Sequence, residues 1–417
     1  MQYYINGYGV RHYSDRIVDL FKYLPQDENG KPKIELNEQA LQEYITYQYY
    51  TSSETLFKGI FRERPSQLAN FYFNYDNLTE DRAIKTLTYL VENSIKESLS
   101  YKSADEIGFS LSGGIDSSFV TGVAATQNPD CDFNVFSGLF LYEGYNEWPY
   151  IKAVTNKYPN LILHPVIIDE QDFVDNIQDV IYWLEEPCGG PGSFSQYIVY
   201  KEASKWVDIL LTGEGGDELW LGYTRYLDLL QYNNSILRCK VPSIYAKDRF
   251  PMNIFYPCME TKTLEQVMVG EIQYDLPTLL AIDEKLPRAF GIETYAPLLS
   301  RAIVEFAKEV PIEIKFKNQE LKYILKKAGE KYLPEKVLNR TNKMGFTTPF
   351  VKWIQGDGIA NEFVSDLFND QRTRERGIFN CDEILIAASL ESEYGRTILG
   401  ALSLELFFRN FIDGEML

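Results

Sequence analysis

The chain has 417 residues, 45% of them hydrophobic and 14% aromatic, which is enough apolar material for two or three packed domains and excludes a disordered or fibrous chain. Sixty acidic against 41 basic residues leave a formal charge of −19, which opposes binding to nucleic acid or to an anionic membrane surface. No apolar run approaches the roughly 18 residues needed to cross a bilayer, and the opening MQYYINGYGVRHYSDR lacks the basic and hydrophobic stretches of a leader, so a cytoplasmic chain is expected.

Residues 1–75 read as a small mixed N-terminal segment: helical spacing over 15–24, the turn-rich PQDENGKPK, then a second helical pattern over 36–50. Thr79, followed by Glu80 and Asp81, predicts a helix start, with Ile84, Leu87, Leu90, Val91 and Ile95 on one face of the helix. From about 105 to 230 short apolar runs alternate with helical patterns. IGFSLS is followed by a helix from Asp116, FNVFSGLF by one from Glu147, LILHPVII by one from Phe173, and VDILLTG by one from Glu218. That rhythm predicts a doubly wound parallel sheet, whose ligands bind beyond the carboxyl ends of its strands. Beyond 260 the strand signal fades, and helical patterns over 302–308, 320–332 and 398–411 predict a helical C-terminal layer. The expected division is thus 1–75 and 76–417.

Five cysteines (Cys131, Cys188, Cys239, Cys258, Cys381) are odd in number and form no CxxC pair, so neither a disulfide framework nor a zinc cluster is expected. His12 and His164 are too few and too far apart for a histidine metal site. Chemistry must come from carboxylates, lysines, hydroxyls or backbone.

The stretch SGGIDSS at 112–118 falls where a strand ends and a helix begins. Gly113 and Gly114 let the backbone approach an anion, and the first amides of the helix, its dipole and the hydroxyls of Ser112, Ser117 and Ser118 all favour bound phosphate. No lysine follows, so this is not the GxxxxGK[ST] loop. Asp116 inside an anion loop would repel its ligand unless a divalent cation lay between them, which makes it a magnesium-ligand candidate. A second glycine-rich stretch, GEGGDE at 213–218, crowds three carboxylates after a strand. Asp217 can share the cation with Asp116, and Glu214 can face the reacting centre as an orienting group or base. In RTNKMGFTTP at 340–349 two cations stand in a loop of breakers, and Lys343 is the natural one to stabilise charge on an α-phosphate or a departing pyrophosphate.

These residues resemble a known family. SGGIDSS resembles the PP-loop of ATP pyrophosphatases, and together with GEGGDELWLGY at 213–223 and NRTNKMGFTTPFVKW at 339–353 it is similar to the synthetase domain of the asparagine synthetase family, from about ETLFKGI at 54 to ILGALSLELFFRNFI at 398. The resemblance implies an adenine nucleotide α-hydrolase-like sheet that binds ATP with Mg2+. It places Ser112, Gly113, Gly114, Asp116, Ser117 and Ser118 on the phosphates and Asp116 with Asp217 on magnesium. Glu214 and Lys343 fall at the family's catalytic glutamate and lysine, and Leu111, Gly138 and Gly213 frame the adenosine through backbone groups.

The family members that make asparagine from glutamine carry a cysteine after the initiator methionine and a full glutaminase domain. Here Gln2 follows Met1 and fewer than 80 residues precede the synthetase region, so no glutamine hydrolysis by this chain is expected. Tyr295 and Ser300 in ETYAPLLS replace the arginine and aspartate of the family's E-x-R-x-P-F-L-D pattern, and CGGPGS from Cys188 is unusually glycine-rich, which questions aspartate as substrate. The expected reaction is ATP-dependent amide-bond formation through an acyl-adenylate. Its partners would be a small-molecule or peptide carboxylate and an amine or ammonia, the latter from solution or from a separate glutaminase. A lactam-forming cyclase of the β-lactam or lasso-peptide kind and a non-catalytic nucleotide-binding partner of a glutaminase stand as alternatives. An RNA-modifying PP-loop enzyme is disfavoured by the charge of −19.

Overall fold

The computed structural model describes residues 1–5, 9–50, 52–63, 68, 70–75, 77–227, 243–246, 249, 263–340, 348–389 and 396–416. At the N-terminus, β1 (Gln2–Ile5), β2 (Arg11–Ser14) and β3 (Ile60–Arg62) form an antiparallel sheet in the order β2-β1-β3. Strands of three or four residues are too short to register as a period-two pattern, and the sequence reading saw only helix and turn here. The helix expected over 15–24 is a 3-10 turn, Val18–Tyr23. The second pattern is α1 (Glu38–Tyr47), whose N-cap Asn37 accepts the amides of Gln39 and Ala40.

The central sheet follows the expected alternation. Thr79 caps α2 (Glu80–Ser98) by accepting the Arg82 amide, and the helix buries Ala83, Leu87, Val91 and Ile95. After it come β4 (Ile107–Ser110), α3 (Ile115–Gln127), β5 (Phe133–Leu139), α4 (Trp148–Lys157), β6 (Leu161–Ile167) and α5 (Glu170–Leu184). Next are α6 (Gly192–Ala203), β7 (Ile209–Leu211) and the short α7 (Gly216–Trp220). Later in the chain β8 (Glu293–Tyr295) completes a five-stranded, wholly parallel sheet in the order β6-β5-β4-β7-β8. The strand signal therefore does not end at 260; β8 is three residues long and alternates in exposure, so it left no apolar run. Phe109, Val135, Ile209 and Leu211 pack on one face with α2 and α3, while Phe136 and Leu210 point to the other with α5 and α6. Covering both faces is what makes these strands read as continuous apolar runs. The chain leaves β4 for β5 and β6 on one side and returns to β7 on the other, so the crevice beyond β4 and β7 is the topological switch point.

The C-terminal layer contains α8 (Leu276–Lys285), α9 (Arg301–Glu309), α10 (Tyr323–Gly329), α11 (Ile359–Asn369), α12 (Cys381–Ala388) and α13 (Arg396–Phe407), with shorter helical turns between them. The helix expected over 320–332 is confined to α10, because Asn318, Gln319 and Lys322 adopt positive φ. Helix α13 is buried from Ile398 to Phe407 and shares one core with the N-terminal segment. The Tyr44 hydroxyl meets the Cys188 carbonyl at 2.8 Å and the Ser403 hydroxyl at 3.0 Å. Glu185 accepts the amides of Ile17 (2.8 Å) and Val18 (3.1 Å), and Arg62 pairs with Glu186. No helix among the described residues is long and apolar enough to cross a membrane.

One buried cation braces this layer against the sheet. Lys315 is fully buried and donates to the carbonyls of Leu219 (3.0 Å), in α7, and Ala307 (2.7 Å), in α9. Burial pushes its ammonium down to about 7. Between pH 7 and 10.5 the unfolded chain holds a proton that the folded chain does not, so stability rises with pH across that window. Replacing Lys315 with Met is expected to flatten that rise, by at most about 1.4 kcal/mol per pH unit. Urea midpoints measured from pH 7 to 10 check it, and an unchanged slope would refute a neutral buried lysine.

Candidate functional site

The first wall of the switch-point crevice is the loop between β4 and α3. The hydroxyls of Ser112 and Ser117 lie 3.0 Å apart, the Ser112 amide donates to Ser117 Oγ at 3.2 Å, and the Gly114 amide donates to Ser112 Oγ at 3.3 Å. Gly113 sits at φ +70°, and a Cβ there would lie 2.7 Å from Tyr150 Cβ in α4, so only glycine fits. Gly114 caps α3 without a side-chain acceptor, which leaves the first-turn amides to an anion. Ser112, Gly114, Asp116 and Ser117 line the cavity. Ser118 does not line it; its hydroxyl is fully buried without a hydrogen-bond partner among the described residues. Leu111 points into the core and accepts the Ser137 hydroxyl on its carbonyl at 2.6 Å, and Gly138 lies within β5; neither lines the cavity, so any contact they make with a ligand is outside this pocket wall.

The second wall is the loop from Thr212 to Asp217, and it touches the first. A Cβ on Gly213 would stand 2.6 Å from the Ser117 amide nitrogen, and one on Gly216 would stand 2.1 Å from Asp116 Oδ1. This contact brings Asp116 and Asp217 to one buried ammonium, Lys322, which pairs with Asp116 and lies 2.7 Å from Asp217 Oδ1. Lys322 is 2% exposed at φ +55°, and its amide donates to the Leu221 carbonyl at 3.2 Å. Sequence reasoning missed it, because a lysine inside a helical pattern reads as solvated surface.

The acids around this point are crowded. Desolvation, then Asp283, Glu218, Asp217 and Asp116, hold the Glu214 carboxyl well above the ordinary range. Burial and the neighbouring Asp217 push Glu218 up to about 7, opposed by the Tyr223 hydroxyl, which donates to it. Burial raises Asp283 to about 6 against the hydrogen bonds of Tyr200 and Thr212. Asp116 and Asp217 offer hard oxygen donors, and no group of three or more His, Cys, Asp or Glu placed to hold a metal occurs among the described residues. Two carboxylates beside a phosphate cradle fit magnesium, which is usually held by one or two carboxylates plus substrate phosphates.

Arg340 forms the cavity's remaining edge. Its guanidinium pairs with Glu147 at 2.6 Å, reaches the Gly113 carbonyl at 3.4 Å, and stacks 4.2 Å over the Tyr150 ring. Lys343 lies outside the described residues. Beyond it Thr348 donates to the Pro191 carbonyl at 2.7 Å and bonds Ser195 in α6. Tyr295 and Ser300 do not line the cavity: the Tyr295 hydroxyl donates to Glu293 at 2.8 Å beside Tyr101, and Ser300 stands at the start of α9 without a side-chain capping bond. The first departure thus falls on the edge strand β8 and the second at a helix start. The glycine-rich loop after Cys188 lets Gly189 pass the Gln48 carbonyl, where a Cβ would lie 2.7 Å away.

Comparison with known proteins fits this geometry. A family model described as Asparagine synthase matches residues 86–407. Asparagine synthetase [glutamine-hydrolyzing] 1 of Bacillus subtilis is 26% identical over 409 residues, covering 82% of this chain and 63% of its own length. A putative asparagine synthetase [glutamine-hydrolyzing] of Mycobacterium tuberculosis is 25% identical over 394 residues, covering 77% and 59%. The chain therefore spans about 60% of the length of these relatives. The matched stretch contains both glycine-rich loops, the carboxylate pair and its lysine, and on that breadth of agreement the chain belongs to the asparagine synthase family.

Proposed function

We propose that this chain is an ATP-dependent ligase that forms amide bonds. A substrate carboxylate attacks the α-phosphate of ATP, pyrophosphate leaves, and the acyl-adenylate is taken by ammonia or an amine to give amide, AMP and a proton. The observation that carries this reading is the meeting of an uncapped helix start, Asp116 and Asp217 at the switch point, with Lys322 between the two acids. The first-turn amides of α3 and the hydroxyls of Ser112 and Ser117 would hold the triphosphate. Asp116 and Asp217 would hold magnesium, which when bound supplies charge neutralisation at the phosphates. Lys343 would stabilise the departing pyrophosphate, and Glu214 would orient the reacting centre. Most of the rate would come from positioning and from fixed charge. The amine would be free ammonia, an amine-bearing metabolite, or ammonia from a separate glutaminase.

Purified protein incubated with magnesium-ATP, ammonium and a cell-extract metabolite pool is expected to release AMP and pyrophosphate only when the pool is present. Asp116→Ala and Lys343→Ala are each expected to lower that release by about 100-fold or more. ADP with phosphate would refute adenylation, and pool-dependent AMP that survives both substitutions would refute the assigned residues.

A further inference from the structure

Helix α6 gives the cavity a further wall that the phosphate chemistry does not use. Gln196, Val199 and Tyr200 stand at i, i+3 and i+4 on one face of the helix and line the same cavity as Glu214. Behind them Asp283, 4% exposed in α8, collects three donors. The Tyr200 hydroxyl reaches Oδ1 at 2.7 Å, Gln196 Nε2 reaches Oδ1 at 3.1 Å, and the Thr212 hydroxyl reaches Oδ2 at 3.4 Å. An ionised carboxylate only accepts, so Asp283 fixes the polarity of all three. The single hydroxyl protons of Tyr200 and Thr212 are committed to it, and the Gln196 amide must turn its nitrogen inward. Tyr200 is left with lone pairs, Gln196 with its carbonyl oxygen, and Glu214 adds the carbonyl oxygen of its carboxyl group. Among the described cavity-lining residues the cation is Arg340, and it is paired with Glu147.

We propose that Gln196, Tyr200 and Glu214 form the subsite for the attacking amine, with Asp283 as the positioning residue that sets their polarity. The inference rests on the ligase reading. A wall of partly desolvated acceptors is satisfied by the N–H groups of ammonia or a small primary amine, and it disfavours an amine with a carboxylate beside its nitrogen.

The test uses the whole chain, the metabolite pool as acid source and methylamine as amine. Exchange of labelled pyrophosphate into ATP reads adenylation without an amine, and methylamine-dependent AMP release reads the second step. Asp283→Leu removes the acceptor, so the Tyr200 hydroxyl and the Gln196 amide, both held on Oδ1, are free to turn donors into the cavity. The KM for methylamine is therefore expected to rise about tenfold or more, and at least about fivefold more than exchange changes. Tyr200→Phe, which keeps the ring in place, should shift the same ratio by about threefold to tenfold. Glycine should not replace methylamine in the wild type. Equal losses of exchange and amine use in both variants would reduce Asp283 to a structural role and overturn the subsite, as would glycine serving as well as methylamine. Absence of pool-dependent exchange in the wild type would instead remove the ligase reading, and the subsite with it.

Discussion

Replacing Lys322 with Met is expected to lower pool-dependent AMP release by about 100-fold to 1,000-fold and to destabilise the fold by about 3 to 5 kcal/mol. The ammonium is 2% exposed and balances Asp116 and Asp217, and without it the buried Asp116 faces the half-buried Asp217 with no counter-charge. Repulsion would move them off the geometry that a phosphate and a cation need. The same loss should make stability depend on magnesium, because an ion that binds only the folded state stabilises it by mass action. Millimolar magnesium should therefore raise the urea midpoint of the variant more than that of the wild type. Arginine should not rescue, because Lys322 Cε already lies where a Cβ on Gly222 would come within 2.1 Å of it, leaving no room for a guanidinium. A variant within about threefold of wild-type activity would refute the role given to this lysine.

The second large effect lies far from the cavity. Glu405 in α13 is fully buried between Arg376, whose Nε lies 2.6 Å from Oε2, and Arg409, whose Nε lies 3.0 Å from Oε1. Arg376 also pairs with Asp413, and Arg409 with Asp370 at 2.5 Å. Glu405→Ala removes the acid at the centre of this network and leaves two largely buried guanidiniums crowded together. A loss of about 3 to 5 kcal/mol is expected, read from urea unfolding, with the affinity for ATP in the folded fraction unaltered. A loss below about 1 kcal/mol would show that the outer acids alone satisfy both arginines.

The two glycine-rich loops were legible because each follows an apolar strand and opens a helix, so local pattern and chain order were sufficient. The groups that complete the cavity were not. Lys322 lies 206 residues from Asp116, and Tyr200 lies 83 residues from Asp283; no local period links such pairs. Helix α6 was hidden behind the glycine-rich CGGPGS stretch, which reads as loop, and Gln196 and Tyr200 were lost with it. Glu147 was read only as a helix start, although its side chain holds Arg340 beside the phosphate loop. The burial of the Ser118 hydroxyl is likewise invisible in the motif, because it depends on what packs around the first turn of α3.

The shared core of α1 and α13 also sets a timetable for synthesis. Tyr44 waits for Gly400 and Ser403, and the first of these contacts spans 356 residues. At ribosomal speeds of about 5 to 20 residues per second, Tyr44 leaves the tunnel about 20 to 70 s before its partner does. During that interval the apolar face of α1 and the N-terminal strands have no α13 to cover them. The nascent chain is thus an expected client of ribosome-associated chaperones, and truncation before residue 396 should trap it in that state.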